Sequence, residues 1–418
     1  MTGRPAASGE RVTLDDYAAI VGAPEMTALR AFARPLEGRR VRMVSAAPGG
    51  ATGAAMLARL VPLLTALGLT VRWDVVAGGA DFPEAARAFR HALQGEPAVA
   101  SSRWRDVLAA AIEAHRCQTL FDDDIVVVHD AELAGLVASR ALLRASWLWR
   151  GHADLTRPRP EAWTFLEASL NRYDAVTFPA PTCSPPLRVP VYVLPPVIDP
   201  LADINRELEP DMVRGVVERL GIDPDRPIVS QISRFDRARD PVGAIAAFRI
   251  VRRFADCQLV VAGRVPDDGP DGSDSLREAR EAAAGDPDIH LLVLPATGAL
   301  TINALQRAST IVLHRPVRGG FGLAAIEALW KGRPVVAADV GGLPAVVIHN
   351  VTGLVAHSIE GAAYHLRYLL ANPPVGHVLG ERGRRHVAEH FLITRLVKSH
   401  LLLFLTVGQA AGAASTRS

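Results

Sequence analysis

The chain has 418 residues, of which 49% are hydrophobic and 22% charged, and its formal net charge is +2. This composition is typical of a globular protein and excludes a disordered chain, while the length suits two α/β domains better than one core. Only Lys331 and Lys398 are lysine among the 46 basic residues, so 44 are arginine. We interpret the basic surface as a compositional bias and expect no nucleic-acid partner.

Cysteine usage and hydropathy predict where the protein works. The three cysteines are far apart and form neither a metal-ligand nor a disulfide pattern, which suits a reducing cytoplasm. The N-terminus has no apolar signal segment. The most apolar part of the tail, 391–407, is too short to span a bilayer and is interrupted by Arg395, Lys398 and His400. We therefore expect a cytoplasmic protein without membrane insertion.

The N-terminal part of the chain predicts a strand, turn, helix, strand unit. A helical pattern over 14–36 precedes a strand at 41–45, and a turn of small residues that includes Gly50 follows. Leucines at helical spacing predict an amphipathic helix over 56–67, and the next strand covers 69–76. The start of this helix is a place where a phosphate or a sugar fits.

Polar side chains follow two further predicted strands, which cover 122–128 and 142–148. These polar residues are His129, Asp130, Arg150, His152 and Asp154. Residues placed just after the strands of an open parallel sheet face the ligand crevice. A lone histidine is more often structural than functional. Two strand ends that each present a histidine beside an aspartate make the two interpretations equally strong.

A proline-rich stretch at 195–200 predicts rigid, extended chain, and a buried strand at 228–232 follows. Arg234 and Arg239 lie on the loop after that strand and before a helix over 242–254. Guanidinium groups present a planar set of donors that matches phosphate oxygens. The two arginines therefore predict an anion site, with a solvated basic loop as the alternative.

The rest of the chain continues the alternation of strands and helices. The predicted strands are 258–262, 290–294, 311–313, 334–338 and 353–355, and the predicted helices are 301–308, 323–330, 358–370, 378–390 and 393–405. Residues 267–274 are rich in Asp and Gly and are predicted to form a loop, but their spacing does not match a calcium loop.

A glycine-rich turn, 318–322, leads into the helix over 323–330. Glycine allows tight backbone conformations, and the free N–H groups at a helix start favour an anion. By itself this turn is as compatible with a structural role as with a phosphate site. Glu327 on the same helix and the glycine pair 341–342 after the next strand favour a nucleotide-sugar site.

Several segments together carry a resemblance to the retaining glycosyltransferases of family 4, and within them to the trehalose synthases. These segments are VHD at 128–130, WRGHAD at 149–154, PPVIDPL at 195–201, ISRFDRARDP at 232–241, DPDIH at 286–290 and INALQRA at 302–308. The resemblance implies the α/β fold called GT-B. This fold has two Rossmann-like domains with a cleft between them and a C-terminal helix that crosses back to the first domain.

The domain organisation follows from this resemblance. We expect an N-terminal extension and helix over 1–36, an acceptor-side domain over 37–205 and a nucleotide-sugar domain over 206–385. A crossover helix and tail are expected over 386–418. The implied partners are a nucleoside-diphosphate sugar and a sugar acceptor, and a homo-oligomer is left open. The family normally requires no metal, so no cofactor is expected.

Carried over position by position, the resemblance also implies roles for single residues. The implied catalytic residues are Arg234, Arg239 and His129, the first two as the groups that hold the diphosphate. The implied donor-binding residues are Glu327, which accepts from the ribose hydroxyls, with Gly320, Phe321, Gly322, Leu323 and Asn303. The implied acceptor-binding residues are Gly50, Asp130, Arg150, His152 and Asp154.

Two departures from the family pattern leave the function open. Gly319 stands where the family has a glutamate that contacts the transferred sugar, and the turn before Met56 lacks the usual hydroxyl and carboxylate groups. We expect a retaining transferase that moves glucose from a nucleoside-diphosphate sugar to a sugar acceptor, with glucose as acceptor giving trehalose. The alternatives are the same fold with a changed donor or acceptor, and a non-catalytic nucleotide- or sugar-binding relative.

Overall fold

The structure is a computed structural model that describes residues 12–46, 52–95, 103–119, 121–142, 145–153, 155–183, 185–266, 270–319 and 321–415. The chain divides into two compact units. The first unit comprises Met1–Pro196 together with Ile393–Ser418, and the second comprises Val197–Leu392. The segment Ile393–Ser418 therefore belongs to the first unit, although 196 residues of the second unit separate it from the rest of that unit in the sequence.

The first unit contains one six-stranded parallel sheet. Its strands are β1 (Arg40–Ala46), β2 (Thr70–Val76), β3 (Ile125–His129), β4 (Ser146–Arg150), β5 (Ala175–Phe178) and β6 (Val191–Val193). They pair in the order β2-β1-β3-β4-β5-β6. Every residue of β3, β4 and β5 is buried, which explains why these strands are near-continuous apolar runs in the sequence.

The helices of the first unit cover both faces of this sheet. They are α1 (Ala18–Ala33), α2 (Thr52–Ala66), α3 (Phe82–Leu93), α4 (Trp104–Gln118) and α5 (Pro160–Leu170), with 3-10 helices at Asp15–Tyr17, Arg34–Leu36, Ala131–Leu142 and Pro181–Cys183. Helices α3, α4 and α5 are additional to the predicted elements. Strand β4 begins later than its predicted start at 142, because the 3-10 helix Ala131–Leu142 occupies the chain up to that point.

The second unit contains another six-stranded parallel sheet. Its strands are β7 (Ile228–Ile232), β8 (Gln258–Gly263), β9 (Ile289–Val293), β10 (Ile311–His314), β11 (Val335–Ala338) and β12 (Leu354–Ala356). They pair in the order β9-β8-β7-β10-β11-β12. This is the strand order of a dinucleotide-binding Rossmann domain.

Helices pack on both faces of the second sheet. They are α6 (Pro210–Arg219), α7 (Pro241–Arg252), α8 (Pro270–Ala283), α9 (Ala299–Ala308), α10 (Leu323–Trp330), α11 (Leu343–Val346), α12 (Ile359–Ala371) and α13 (Pro373–His390), with a 3-10 helix at Arg237–Arg239. One apolar cluster includes Phe248 of α7 and Leu366 of α12. A second cluster includes Val217 of α6 and Leu305 of α9.

Helix α8 corrects the predicted loop over 267–274. Residues 267–269 lie outside the described ranges, and from Pro270 onward the chain is helical. Leu276, Ala279 and Ala283 recur at helical spacing and join the apolar cluster that contains Phe248. Their burial stabilises the helix despite the Asp and Gly residues of its first turn.

The chain ends in α14 (Ile393–Ser415), which packs within the first unit. Leu396, Leu401 and Phe404 on this helix are buried. The Lys398 ammonium lies 2.9 Å from an oxygen of Glu25 on α1. Within the described ranges, no helix combines the length and apolar character that crossing a bilayer requires.

Each sheet has one point at which the strand order reverses, and ligands of open α/β sheets bind beside the carboxyl ends of the strands at that point. In the first unit the point lies between β1 and β3, and in the second between β7 and β10. The loops that follow these four strands are therefore the expected binding loops.

Candidate functional site

The two arginines predicted to hold a diphosphate lie on the loop after β7. The Arg234 side chain is 55% exposed, and its Nη2 lies 3.1 Å from Asp236 Oδ2. The Arg239 side chain is 24% exposed, and its Nε lies 4.0 Å from Asp236 Oδ1. One carboxylate thus faces two cations, which leaves net positive charge at this strand end.

The pKa of Arg239 shows that the two guanidinium groups act on each other. Burial lowers the pKa of Arg239, the Asp236 carboxylate raises it, and the charge of Arg234 lowers it. The last effect is repulsion between like charges. An anion that accepts hydrogen bonds from both groups would relieve this repulsion, so the pair is suited to phosphate oxygens.

Strand β8 sets the backbone at the start of this loop. A Cβ on Gly263, the last residue of β8, would lie 1.7 Å from the Ser233 carbonyl oxygen, so only glycine fits there. The N–H of Phe235 donates to the carbonyl of Arg264 at 2.8 Å. The backbone on both sides of Arg234 is therefore held by the neighbouring strand.

The loop after β10 is bonded to the loop after β7. The N–H of Val317 donates to the carbonyl of Ala238 at 2.9 Å, and the Arg315 guanidinium pairs with the Asp240 carboxylate. Asp240 has a φ of 52°, and its side chain caps α7 by accepting from the N–H of Gly243 at 2.9 Å. The tertiary structure thus joins the two loops at the reversal of strand order.

His314 is a neighbour of this site that sequence reasoning missed. It ends β10, and burial lowers the pKa of its imidazole to about 3, with the charge of Arg239 adding to the effect. Its Nε2 is buried without a hydrogen-bond partner in the described part of the chain. An apolar run that ends in histidine singles out His129, and the same signal at 311–314 could have found His314.

The glycine-rich turn before α10 packs against the turn before α11. Gly322 has a φ of 82° and directly precedes Leu323, the first residue of α10. A Cβ on Gly322 would lie 2.3 Å from Leu343 Cδ2, and a Cβ on Gly342 would lie 2.3 Å from Phe321 Cδ2. Both glycines are needed for the close approach of the two turns, which fixes Phe321 beside the helix start.

Gly319 occupies the position at which the family resemblance implies a glutamate. Its φ is 63°, a left-handed conformation that favours glycine. A Cβ at this position would have no heavy atom of the described chain within 4 Å, apart from its sequence neighbours. The position thus lacks a carboxylate but has space for one. Gly320, the next predicted donor residue, lies outside the described residues.

Glu327, predicted to bind the ribose, lies on α10 and is only partly exposed. Burial raises its pKa, while the charge of Lys331 and a hydrogen bond from Gln306 lower it. Gln306 lies on α9, where its Nε2 donates to the carbonyl of Ala324 at 3.3 Å and its Oε1 accepts from Lys331 Nζ at 2.7 Å. Two residues absent from the predicted site thus act on this carboxyl group, Gln306 through a hydrogen bond and Lys331 through its charge.

Asn303, also predicted as a donor contact, is fully buried on α9. Its amide nitrogen donates to the carbonyls of Asp203 and Arg206 at 2.8 Å each. Its amide oxygen accepts from Arg307 Nε at 3.0 Å. The first two bonds use both amide hydrogens to hold the segment before α6. They count against a direct contact between Asn303 and the nucleotide sugar.

In the first unit, His129 and Arg150 are register partners at the ends of β3 and β4. His129 Nδ1 lies 3.1 Å from His152 Nε2, with the two rings nearly parallel and their centroids 5.4 Å apart. His129 Nε2 lies 3.4 Å from the sulfur of Met43 on β1. A Cβ on Gly53 would lie 3.4 Å from His152 Nε2, so the first turn of α2 borders the pair.

A third histidine, His400 of α14, completes what we call the histidine cluster: His129, His152, His400 and Arg150. Burial lowers the pKa of His129 well below its usual value. Burial, followed by the charge of Arg150, lowers the pKa of His152 and of His400 to about 3. The three imidazoles are therefore neutral at neutral pH. The only sequence signal for His400 is that it interrupts an apolar helix.

Arg150 is a buried cation inside this cluster. Its side chain is 3% exposed, and burial alone lowers its pKa to about 9. Its Nε and Nη1 have no hydrogen-bond partner in the described part of the chain. A buried guanidinium with free donors is costly without a ligand, so Arg150 is available to hydroxyl or anionic oxygens.

Asp130 lies at the reversal of strand order in the first unit. Its φ is 70°, its N–H donates to the carbonyl of Arg150 at 3.2 Å, and its carbonyl accepts from Trp149 Nε1 at 3.0 Å. Burial and the charge of Glu132 raise the pKa of its carboxyl group, and the N–H of Ala46, the last residue of β1, donates to it. Asp130 is thus fixed beside the end of β1.

The structure therefore brings together the predicted residues of each unit. Arg234 and Arg239 share one loop, which is hydrogen-bonded through Ala238 to the loop that leads to α10. His129, Asp130, Arg150 and His152 form one group. Gly50 and Asp154 lie outside the described residues. Among the described side chains, no group of three His, Cys, Asp or Glu residues could hold a metal ion.

The loop with Arg234 and Arg239, in the second unit, can bind a polyanion through two guanidinium groups and the start of α10. The group around His129, in the first unit, offers neutral imidazoles, a buried guanidinium and a carboxyl group, which together can bind hydroxyl groups.

Two protein families match successive parts of the chain. The N-terminal domain of trehalose synthase matches residues 43–185, and the glycosyl transferases group 1 family matches residues 216–386. A trehalose synthase of Pyrococcus horikoshii is 32% identical over 96% of this chain and 98% of its own length. A trehalose synthase of Rubrobacter xylanophilus is 34% identical over 94% of this chain and 96% of its own length.

Solved structures share the fold at low sequence identity. The sucrose-phosphate synthase of Thermosynechococcus elongatus superposes with a TM-score of 0.70 at 19% identity, covering 89% of this chain and 100% of that one. The trehalose-6-phosphate synthase OtsA gives a TM-score of 0.70 at 14% identity, covering 88% and 99%. A trehalose-6-phosphate structure from E. coli, bound with UDP-2-fluoro glucose, gives 0.69 at 14% identity, covering 88% and 99%. These likenesses show the GT-B fold.

Proposed function

Because the chain belongs to the trehalose synthase family of glycosyltransferases, we propose that it transfers glucose from a nucleoside-diphosphate sugar to a sugar acceptor. The proposed acceptor is free glucose, the proposed product is trehalose, and the configuration of the transferred sugar is retained. The proposed site of action is the cytoplasm.

The observation that carries this proposal is the junction of the two loops at the reversal of strand order in the second unit. One loop presents Arg234 and Arg239, the other leads into the start of α10, and the bond between Val317 and Ala238 joins them. Two cations and a helix N-terminus on joined loops are suited to a diphosphate. In the proposed complex Glu327 accepts hydrogen bonds from the ribose hydroxyls.

The acceptor is proposed to bind at the histidine cluster and Asp130. Neutral imidazoles can donate or accept a hydrogen bond, and the Arg150 guanidinium can only donate. This mixture suits the hydroxyl groups of a sugar, each of which is both donor and acceptor. The free Nε and Nη1 donors of Arg150 support this assignment.

In the proposed reaction, the bond between sugar C1 and the diphosphate oxygen breaks while the acceptor hydroxyl oxygen bonds to C1 on the same face. The hydroxyl proton passes to the leaving phosphate oxygen. Arg234, Arg239 and the start of α10 stabilise the negative charge that grows on the diphosphate. No metal ion or other cofactor has a role in this proposal.

The test is mass spectrometry of the product after the purified protein is mixed with glucose and with ADP-, UDP- or GDP-glucose. We expect a hexose disaccharide and release of the matching nucleoside diphosphate from at least one donor. NMR of the product identifies the linkage and shows whether the α-configuration of the donor is kept. An inverted linkage would contradict the retaining mechanism.

Gly319 favours a second candidate, a transferase with a different donor sugar. The open space around this position suits a sugar that carries a larger or differently placed substituent than glucose. Product from another nucleotide sugar, with none from the three glucose donors, would favour this candidate. Binding of a nucleotide sugar without any product would instead favour a non-catalytic relative.

A further inference from the structure

Lys331 is a buried lysine directly after α10, and its side chain has no role in the proposed reaction. Its ammonium nitrogen lies 3.2 Å from Asn205 Oδ1, 2.7 Å from Gln306 Oε1 and 3.3 Å from the carbonyl oxygen of Glu327. An ammonium group has three hydrogens and no acceptor. These three oxygens therefore use all of its donors.

The choice of lysine is unusual in this chain, because 44 of its 46 basic residues are arginine. A guanidinium is planar and presents five donors, so it does not fit a small enclosure with three acceptors around one point. The other lysine, Lys398, is on the first unit and contacts both oxygens of Glu25, at 3.1 and 2.9 Å. A guanidinium could make that two-oxygen contact, so Lys398 is a matched control.

Lys331 decides which way the amide of Gln306 points. Because the ammonium only donates, the end of the amide that faces it must be the oxygen. The amide nitrogen of Gln306 is then directed to the first turn of α10, where it donates to the carbonyl of Ala324 at 3.3 Å and to the Glu327 carboxylate. Without the ammonium, the amide could rotate and present its oxygen to the carboxylate.

The charge of Lys331 also acts on Glu327 directly. Burial raises the pKa of Glu327, and the nearby ammonium opposes this more strongly than the hydrogen bond from Gln306 does. A protonated carboxyl group is a poorer acceptor for two hydroxyl groups than a carboxylate. Lys331 and Gln306 thus both oppose the protonation of Glu327 that burial favours, while burial also lowers the pKa of Lys331 itself to about 7 and the Glu327 carboxylate raises it.

We propose that Lys331 is a positioning residue for the donor nucleotide: its ammonium orients the Gln306 amide, and both groups hold the Glu327 carboxylate ready to accept from the ribose hydroxyls. This inference rests on the proposed function, in which Glu327 binds the ribose.

The test compares the binding of nucleoside diphosphates with that of their 2′-deoxy forms by calorimetry, which needs no turnover. The wild-type protein should bind the ribose form at least tenfold more tightly, since a hydrogen bond to a charged group gives a factor of about 10 or more. Lys331→Met should reduce the ratio of the two affinities, ribose form over 2′-deoxy form, to near one. Lys398→Met should leave it unchanged.

Gln306→Glu keeps an oxygen facing Lys331 but removes the amide donor to Glu327 and adds a second carboxylate beside it. This variant therefore tests the inference even if Lys331→Met fails to fold, and it should also bring the ratio near one. Lys331→Arg should lower the ratio partly, because the charge remains but the three contacts do not.

The outcomes separate this inference from the proposed function. A wild-type protein that binds neither form, or binds both equally, would contradict the ribose role of Glu327. A wild-type protein that prefers the ribose form, with the preference intact in Gln306→Glu or in folded Lys331→Met, would overturn the positioning role alone. Equal weakening of both forms in the variants would show a structural role only.

Discussion

The N–H of Val317 donates to the carbonyl of Ala238 at 2.9 Å, so the loop after β10 is hydrogen-bonded to the loop after β7. The pairing of Arg315 with Asp240 joins the same loops a second time, at the residue that caps α7. Both loops are therefore held relative to each other before any ligand binds. Such preorganisation lets charged groups stabilise a developing anion without first rearranging.

Replacing Arg234 by Ala should lower kcat/KM for the nucleotide sugar by about 10²- to 10³-fold, the usual effect of removing one donor from a developing anion. The control is Arg237→Ala on the same loop. The Arg237 guanidinium pairs with Glu278 on α8, with Nη2 2.7 Å from Oε1, so its loss should change kcat/KM by less than about threefold, within the range of a surface ion pair. Steady-state kinetics with a saturating acceptor measures both, and unchanged turnover in Arg234→Ala would rule out its diphosphate role.

Gly319→Glu should fold, with a loss of about 1–2 kcal/mol in the free energy of unfolding, because its φ of 63° disfavours any side chain. Gly319→Ala carries the same backbone cost without the carboxylate and is the matched control. Urea denaturation should give similar losses for the two variants, since no described atom lies near the Cβ.

Product formation then separates the two Gly319 variants. If the missing carboxylate limits glucose transfer, Gly319→Glu should form disaccharide faster than Gly319→Ala. Equal rates would show that this position does not contact the transferred sugar. A much larger loss of stability in Gly319→Glu than in Gly319→Ala would contradict the conclusion that position 319 has space for a carboxylate side chain.

Gly342→Ala should raise the KM for the nucleotide sugar several-fold, because its Cβ would lie 2.3 Å from Phe321 Cδ2 and force the turn before α10 to move. Gly376→Ala on α13 is the control, since its Cβ would meet only Pro334, at an ordinary 3.5 Å. In this control the KM for the nucleotide sugar should be unchanged. The urea midpoint should be unchanged or slightly higher, because alanine favours a helix. An unchanged KM in Gly342→Ala would show that the position of Phe321 is not critical for the donor.

The first unit should lose stability steeply as the pH falls below about 6. His152 and His400 have pKa values of about 3 in the folded state, against about 6.5 when unfolded. Between these values the unfolded chain binds protons that the folded chain does not, so the free energy of unfolding falls by about 1.4 kcal/mol per pH unit for each histidine.

Tryptophan fluorescence can follow this transition, because every tryptophan except Trp330 lies in the first unit. The urea midpoint should decrease from pH 7 to pH 4.5. His400→Leu should weaken the pH dependence of the free energy of unfolding by about one bound proton. The same slope of this free energy against pH in the variant and in the wild type would contradict the pKa shift assigned to His400.

Much of the site could be predicted from the sequence because its signals are local. The strands are apolar runs, the turn before α10 needs glycine, and Arg234 and Arg239 follow directly after a buried strand. Residues whose contacts come from distant segments could not be found in this way. Lys331 binds Asn205 across 126 positions of sequence, and the bonds that engage Asn303 come from about 100 residues away.

The sequence by itself determined the positions of the parallel strands, the glycine-rich turns and the polar residues at the strand ends, because hydrophobic runs and backbone freedom depend on neighbouring residues along the chain. The family resemblance in its motifs added the fold and the class of reaction. Only the tertiary structure decided which strand ends become neighbours, how α8 forms where a loop is predicted, and which polar groups lie beside the histidine cluster and Glu327. These depend on strand order and on burial, since removal from water changes both the charge states of side chains and the hydrogen bonds that they must make.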